Sequence, residues 1–143
     1  MMTSEELIKA INQRQKGSMS EFLGVEFLEA GKDFLTARMP VDERTIQPMG
    51  ILHGGASVVL AETLGSVAAN FVVDNTKYYC VGLDINANHI RSIVKGNWVY
   101  GKAVALHLGK TTQVWEIKLS NEQGQLTCIS RLTMAVLERK NPA

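Results

Sequence analysis

Apolar residues recur along the chain with two different spacings, one typical of a helix and one typical of strands. Leu7, Ile8 and Ile11 recur at the spacing of one helical face, so residues 4–15 predict an amphipathic helix within an N-terminal unit of residues 1–17. Elsewhere apolar and polar residues alternate in segments rich in β-branched and aromatic side chains, which is typical of strands. Six such segments occur, at 22–25, 34–39, 78–85, 98–106, 113–119 and 126–137.

The segment between the second and third strand patterns has a different composition. Twelve of the eighteen residues 56–73 are apolar, none is proline, and Glu62 is the only charged residue among them. With the preceding glycine pair, this predicts a nearly all-round buried helix over 54–73. Four strands joined by short turns follow and favour an antiparallel sheet, which must curve around the helix to cover it. We therefore expect one α+β domain over 1–143.

The single acid of this helix needs an explanation, because burying an ionised carboxylate without a partner is costly. Residues four apart share a helix face, so Glu62, Ser66 and Asn70 form one polar stripe with Thr63 at its edge. One interpretation is a solvent-facing stripe or a structural hydrogen-bond network. The other is a catalytic acid or base.

The start of the helix offers a second candidate group. His53-Gly54-Gly55 precedes the apolar run, so unpaired backbone N–H groups of the first turn can bind an oxyanion where no side chain blocks the approach. Alternatively, the glycines only shape a tight turn. Gly55 and Glu62 are seven residues apart, about 10 Å along the helix, whereas attack distances are about 3 Å. A second chain with its helix antiparallel would bring the two groups together, which predicts a homodimer with composite sites.

Composition and the lack of certain motifs argue against several classes of function. Fifteen Lys and Arg against fourteen Asp and Glu leave a net charge of +1, which does not favour a nucleic acid partner. The first residues are acidic where a secretory signal needs bases, and no run of about 18 uncharged apolar residues occurs, so we expect a cytoplasmic protein with no membrane partner. Cys80 and Cys128 are expected to be reduced and buried. His53, His89 and His107 are too dispersed to indicate a metal site, and no P-loop, G-x-G-x-x-G or G-x-S-x-G motif is present.

Longer motifs extend over most of the chain, from about Phe22 to Leu137. They are Gln47-Pro48-Met49-Gly50-Ile51-Leu52-His53-Gly54-Gly55-Ala56-Ser57, Leu60-Ala61-Glu62-Thr63-Leu64-Gly65-Ser66, Met39-Pro40-Val41-Asp42, Gly82-Leu83-Asp84-Ile85-Asn86-Ala87-Asn88-His89, Leu106-His107-Leu108-Gly109 and Val114-Trp115-Glu116-Ile117. In these motifs the chain resembles the hotdog-fold acyl-CoA thioesterases, in the branch of the Arthrobacter-type 4-hydroxybenzoyl-CoA, phenylacetate-pathway and 1,4-dihydroxy-2-naphthoyl-CoA hydrolases.

The resemblance implies a curved antiparallel sheet around the long helix, paired into dimers and often into tetramers. It implies Glu62 as nucleophile or general base, the Gly55 N–H as oxyanion donor, Gln47 and His53 as groups that orient the thioester or the water, and Ser66 as an assistant on the Glu62 face. The substrate would be an acyl-CoA, with an aromatic acyl group suggested by the nearest relatives. Coenzyme A would leave as a product, and no other cofactor is expected.

The resemblance also implies where coenzyme A binds. Its contacts would come from Gly82, His89, Ile90, Arg91, Ser92, His107, Leu108, Gly109, Lys110 and Thr111. Relatives commonly have a proline where this chain has Ser92 and an arginine where it has Lys110, and a lysine lacks the planar fork of arginine. Candidates for the wall around the acyl group are Met49, Ile51, Val59, Thr63 and Phe71.

Two other functions compete with hydrolysis. Asp84-x-Asn86-x-x-His89 has the spacing of the acid and histidine of hotdog enoyl-CoA hydratases, although it follows the helix here rather than preceding it. A noncatalytic acyl-CoA binding module is the second alternative, and it would leave Glu62, Gln47 and His53 without a task.

Overall fold

The computed structural model describes residues 2–141, which form three helices and six strands. The helices are α1 (Ser4–Arg14), α2 (Met19–Phe22) and α3 (Gly54–Val72). The strands are β1 (Glu26–Ala30), β2 (Phe34–Pro40), β3 (Tyr78–His89), β4 (Trp98–Leu108), β5 (Thr112–Ser120) and β6 (Leu126–Glu138).

The strands form one antiparallel sheet in the order β1-β2-β4-β5-β6-β3. The sheet wraps around α3, which contacts every strand from β2 to β6. Alternate residues of the strands point to the helix, as in β5, where Trp115, Ile117 and Leu119 are fully buried. The predicted α+β architecture, a curved antiparallel sheet around one long helix, is confirmed.

The prediction of a strand at 22–25 is wrong. This segment contains the end of α2 and the turn that follows it, and β1 begins at Glu26. Ser18 caps α2 by accepting a hydrogen bond from the N–H of Glu21, and the Glu21 carboxylate accepts one from the N–H of Gly17. This arrangement of a serine followed three residues later by a glutamate is a helix-start signal that outweighs four residues of apolar character.

The central helix is predicted almost to the residue, at 54–73 against Gly54–Val72. By length and apolar composition it could cross a membrane, but the sheet covers one side of it and buries Leu60, Ala61 and Leu64 completely. It is therefore the core helix of a folded domain. Its opposite side, which carries Glu62 and Thr63, is only half buried.

Strand β3 is an edge of the sheet and contains a bulge. Gly82 pairs with Met134 and Asp84 with Thr133, so Leu83 is an extra residue without a partner. The bulge reverses the alternation, because Cys80 and Gly82 face α3 before it, whereas Ile85 and Ala87 face the core after it. The outer edge of this twelve-residue strand is unpaired within residues 2–141.

Candidate active site

Glu62 lies in the middle of α3, on the face that the sheet leaves half open. A Cβ built on Gly82 of β3 would lie 3.4 Å from the Glu62 Oε2 atom, so the carboxylate rests directly against this glycine. Within residues 2–141 the carboxylate has no hydrogen bond and no salt bridge. A half-buried carboxylate without a protein partner is unusual, because proteins normally pair such groups.

The carboxylate opens into a cavity of about 480 Å³. One wall is the exposed face of α3, with Thr63, Ser66, Val67 and Phe71 beside the acid. The volume is within the range of small-molecule sites. Of the candidates for the acyl wall, Thr63 and Phe71 line this cavity, whereas Met49, Ile51 and Val59 do not.

Asn70, the last member of the polar stripe, has a structural role. Its Nδ2 donates to the Ser66 carbonyl at 2.9 Å and to the Cys80 carbonyl at 3.2 Å, and its Oδ1 accepts the Cys80 N–H at 2.8 Å. It thus fastens the end of α3 to the start of β3. The stripe therefore contains both alternatives that the sequence left open, a structural network at Asn70 and an unpaired acid at Glu62.

The start of α3 combines His53, Gly54 and Gly55. His53 is the N-cap, and its Nδ1 accepts the Gly55 N–H at 2.8 Å. An Nδ1 that accepts a hydrogen bond carries no proton, so the neutral ring carries its proton on Nε2, as a donor. His89 packs on the same helix start, since a Cβ on Gly54 would lie 3.1 Å from the His89 Nε2 atom.

Gln47 lies in the loop between β2 and α3. Its side-chain oxygen accepts the Met49 N–H, its own N–H donates to the Ile51 carbonyl, and its carbonyl accepts the Gly50 N–H. The loop is tied to the helix start because the His53 N–H donates to the Thr45 carbonyl. The hydrogen bonds of the Gln47 side chain leave its amide NH₂ group available to a ligand.

One chain does not bring all the predicted site residues together. Ser66 shares the cavity of Glu62, but the Gly55 N–H is two helical turns away, about 10 Å along the axis. Within one chain, the acid is therefore too far from the helix start with His53, Gly54 and Gly55 for both to contact the same reacting atom.

The predicted coenzyme A contacts also divide into two groups. His89 and the exposed Ile90, Arg91 and Ser92 lie at the far end of β3. Gly109, Lys110 and Thr111 form the β4–β5 turn and share a pocket with the opposite end, including Asp74, Tyr78 and Glu138. His107 packs on Gly109, and Leu108 is exposed. The two groups are separated by most of β3, about 25 Å at 3.3 Å per residue.

The residues with hydratase-like spacing, Asp84, Asn86 and His89, do not lie together at one site. Because side chains alternate along a strand, Asp84 and Asn86 point to the face opposite to His89. Asn86 lines the outer surface of the sheet with Glu116 and Arg131, whereas His89 packs on the start of α3. An acid and a histidine on opposite faces cannot act on one substrate.

Cys80 and Cys128 are buried and free, as predicted. Burial raises the pKa of both thiols, so neither is a candidate nucleophile. Within residues 2–141 no cluster of three or more His, Cys, Asp or Glu side chains could hold a metal ion.

One wall of the cavity is not predictable from the sequence patterns. Opposite the Glu62 face lies the segment of residues 14–20, which connects α1 to α2 and contributes Arg14, Gln15, Ser18, Met19 and Ser20. This contact joins residues about fifty positions apart, and the periodicity of either segment cannot reveal it.

Comparison with known proteins gives a consistent result. Residues 49–128 match the Thioesterase superfamily. The chain is 51% identical to 1,4-dihydroxy-2-naphthoyl-CoA hydrolase from Escherichia coli, with 91% of this chain and 94% of that protein covered. It is 46% identical to the proofreading thioesterase EntH from Cronobacter turicensis, covering 91% and 93%. A mutant of thioesterase PA1618 from Pseudomonas aeruginosa superposes with a TM-score of 0.89 at 52% identity, covering 92% and 94%.

Proposed function

Because the chain belongs to the thioesterase superfamily and is a thioester hydrolase, we propose that it cleaves an acyl-CoA thioester to the free acid and coenzyme A, with Glu62 as the catalytic carboxylate. One observation carries this proposal. The Glu62 carboxylate has no protein partner within residues 2–141 and opens into a cavity of substrate size. An unpaired carboxylate can accept a proton from water or attack a carbonyl carbon itself.

The reaction needs few groups. In the general-base form, Glu62 takes a proton from water while the water oxygen bonds to the thioester carbonyl carbon. The C–S bond then breaks, and the thiolate of coenzyme A leaves and takes up a proton. In the nucleophilic form, the Glu62 oxygen bonds to the carbonyl carbon, the C–S bond breaks, and the thiolate of coenzyme A leaves and takes up a proton. Water then hydrolyses the resulting anhydride to the free acid and restores the Glu62 carboxylate. A thiolate leaves readily, so neither form requires a metal ion.

The helix start supplies the oxyanion donor. The Gly55 N–H carries the positive end of the helix dipole and is bonded to the His53 Nδ1 atom in the free protein. A bound carbonyl oxygen would share or take over this N–H, and the His53 Nε2–H is a second donor nearby. The free amide of Gln47 would orient the thioester or the water, and Ser66 would assist from the face of Glu62.

Two chains are needed to assemble this site, and β3 offers the surface for pairing. Its unpaired edge is twelve residues long and exposes Val81 and Leu83, and long unpaired edges are rarely left open in soluble proteins. Gly82 lies beside Glu62, and His89 lies on the start of α3. Antiparallel pairing of two β3 strands, centred between Ile85 and Asn86, would therefore place each acid opposite the helix start of the other chain.

The same pairing would reunite the coenzyme A contacts. Antiparallel strands bring the His89 end of one chain close to the Tyr78 end of the other, where the 109–111 turn lies. Arg91 of one chain and Lys110 of the other would then flank the nucleotide, with Gly82 and His107 nearer the pantetheine. Association of two such dimers into a tetramer, a cytoplasmic location and the absence of any further cofactor belong to the same proposal.

The acyl group is proposed to be aromatic. The relative from Escherichia coli is named for a dihydroxynaphthoyl thioester, and the cavity of this chain is flanked by Phe71, Val67 and Met19. A flat apolar ring fits such walls better than a charged or strongly polar group.

Thiol release from acyl-CoA esters tests the activity. The wild-type protein should release free thiol from benzoyl-CoA, and Glu62→Gln should lower kcat by at least about 100-fold while the dimer persists. Hydration of an enoyl-CoA without thiol release would favour the hydratase. Saturable binding without turnover, unchanged in Glu62→Gln, would favour the binding module.

Mixing two inactive variants tests the composite site. Glu62→Gln and His53→Ala chains, unfolded and refolded together in equal amounts, should recover about a quarter of wild-type turnover, since half of the dimers are mixed and each has one intact site. Each variant refolded alone is the control. No recovery in dimers that are demonstrably mixed would contradict the two-chain site.

A further inference from the structure

The 14–20 segment runs along the Glu62 face of α3 in the opposite direction. The Arg14 guanidinium lies 5.6 Å from the centre of the Phe71 ring, near the end of α3. At the other end of the segment, the Phe22 carbonyl accepts a hydrogen bond of 2.7 Å from Arg44, which belongs to the loop before α3. The segment therefore covers the cavity from its far end towards the start of the helix.

The polar groups of this segment are connected to one another. The Ser20 hydroxyl donates to the Gln15 Oε1 atom at 2.7 Å, and the Ser18 and Ser20 hydroxyls are 2.8 Å apart. Ser18 also donates to the Gln15 carbonyl at 2.5 Å. Ser20 is only 5% exposed, so this network is part of the fold rather than of a loose surface.

The network fixes the orientation of Gln15 and leaves one of its groups unused. Since Oε1 accepts from Ser20, the Nε2 amide is the free end of the side chain, and it has no protein acceptor within residues 2–141. Gln15 is half buried and lines the cavity beside Phe71 and Val67. A fixed donor in a cavity lined by polar as well as apolar side chains can recognise a polar substituent of the ligand.

The orientation of the substrate in the cavity follows from where its thioester carbon and its coenzyme A part must lie. The thioester carbon must come within about 3 Å of the Glu62 carboxylate. Coenzyme A is large and anionic and must remain in contact with water, so it cannot occupy the space beneath the 14–20 segment. The acyl group is therefore the part that extends along α3 towards Phe71 and Gln15.

Building on the proposed function, we infer that Gln15, oriented by Ser20, determines the specificity for the acyl group by donating a hydrogen bond to an oxygen substituent at its far end. For the proposed aromatic acyl group, this substituent is a hydroxyl group on the ring. An unsubstituted ring would cover the half-buried amide of Gln15 without offering it an acceptor, and a site with such a hydrogen bond discriminates against the analogue that lacks it.

The test compares 4-hydroxybenzoyl-CoA with benzoyl-CoA in two variants. Gln15→Met keeps the length of the side chain and removes the donor, so the ratio of the two kcat/KM values should fall about three- to tenfold, as expected for one hydrogen bond. The value for benzoyl-CoA should change less than twofold. Ser20→Ala keeps the amide but removes its orienting bond, and the ratio should fall by a smaller factor.

Gln13→Met is the matched control, because Gln13 lies on the exposed side of α1 and does not line the cavity. An unchanged ratio in both Gln15→Met and Ser20→Ala, with hydrolysis intact, would overturn the inference. An equal loss for both substrates in folded Gln15→Met would also overturn it. Failure of the proposed function is distinct from either result, because the wild-type protein would then release no thiol from any acyl-CoA.

Discussion

Glu62 and Asn70 lie on the same face of α3, and both interrupt an apolar helix, but their surroundings differ. Asn70 makes three hydrogen bonds, two of them to the backbone of Cys80. Glu62 has no protein partner within residues 2–141, although both side chains line the same cavity. Position and polarity are thus shared, and only the hydrogen bonds distinguish a structural group from a reactive one.

The largest expected change in stability is at Asn70. In Asn70→Leu the N–H and carbonyl of Cys80 lose their partner, which should lower the free energy of unfolding by about 2 kcal/mol. Turnover should fall by no more than about tenfold, because Asn70 lines the acyl cavity but does not touch the reacting atoms. Denaturant unfolding and thiol release measure the two effects. Asn12→Leu, at an exposed position of α1, is the control, and a stable but inactive Asn70→Leu would refute this distinction.

Substitution of Glu62 is expected to abolish activity without lowering stability, the opposite of substitution at Asn70. Replacing an unpaired, half-buried carboxylate by an apolar side chain removes a desolvation cost, so Glu62→Leu should be as stable as wild type or more stable by up to about 1 kcal/mol. The same variant should release no thiol. A loss of stability similar to that of Asn70→Leu would show that the carboxylate has a structural partner.

A smaller effect is expected where a carboxylate is paired at the surface. Arg44 hydrogen-bonds the side chain of Asp42 and holds the pKa of that carboxyl below its usual range. A lowered folded-state pKa adds stability above the unfolded-state value, and this contribution is lost as the pH falls through the folded-state pKa. Asp42→Asn should therefore cost about 0.5 kcal/mol at pH 7. In acid unfolding series the difference from wild type should begin to shrink below about pH 4, near the unfolded-state pKa, and should disappear only once the pH is below the folded-state pKa.

Much of the fold follows from local patterns. The apolar run after the glycine pair predicts α3 almost to the residue, and alternation predicts β2 and the last four strands. The predicted start of β3 at Tyr78 is correct, but its predicted end at Ile85 is too early, because the strand continues to His89 with exposed polar residues on a sheet edge. The error at 22–25 has a local cause, the cap formed by Ser18 and Glu21, which starts a short helix just before the predicted strand.

The active site is harder to predict from local sequence patterns than the fold is. Glu62 stands out because a charge in an apolar helix violates the local pattern. The partners of Asn70 and the cavity wall at Gln15 depend on contacts between distant segments, which no period encodes. The difference between Glu62 and Asn70 therefore became visible only when hydrogen bonds could be assigned.

The bulge at Leu83 makes the length of β3 as important as its composition. Cys80 and Gly82 face α3 on one side of it, and Ile85 faces the core on the other. If one residue were deleted at the bulge, only the part of β3 before it or the part after it could keep its side chains on their present faces of the sheet. Natural variants should consequently tolerate many substitutions around Leu83 but no deletion, and a gap at this position in a related sequence would mark a protein whose acid has lost its glycine neighbour.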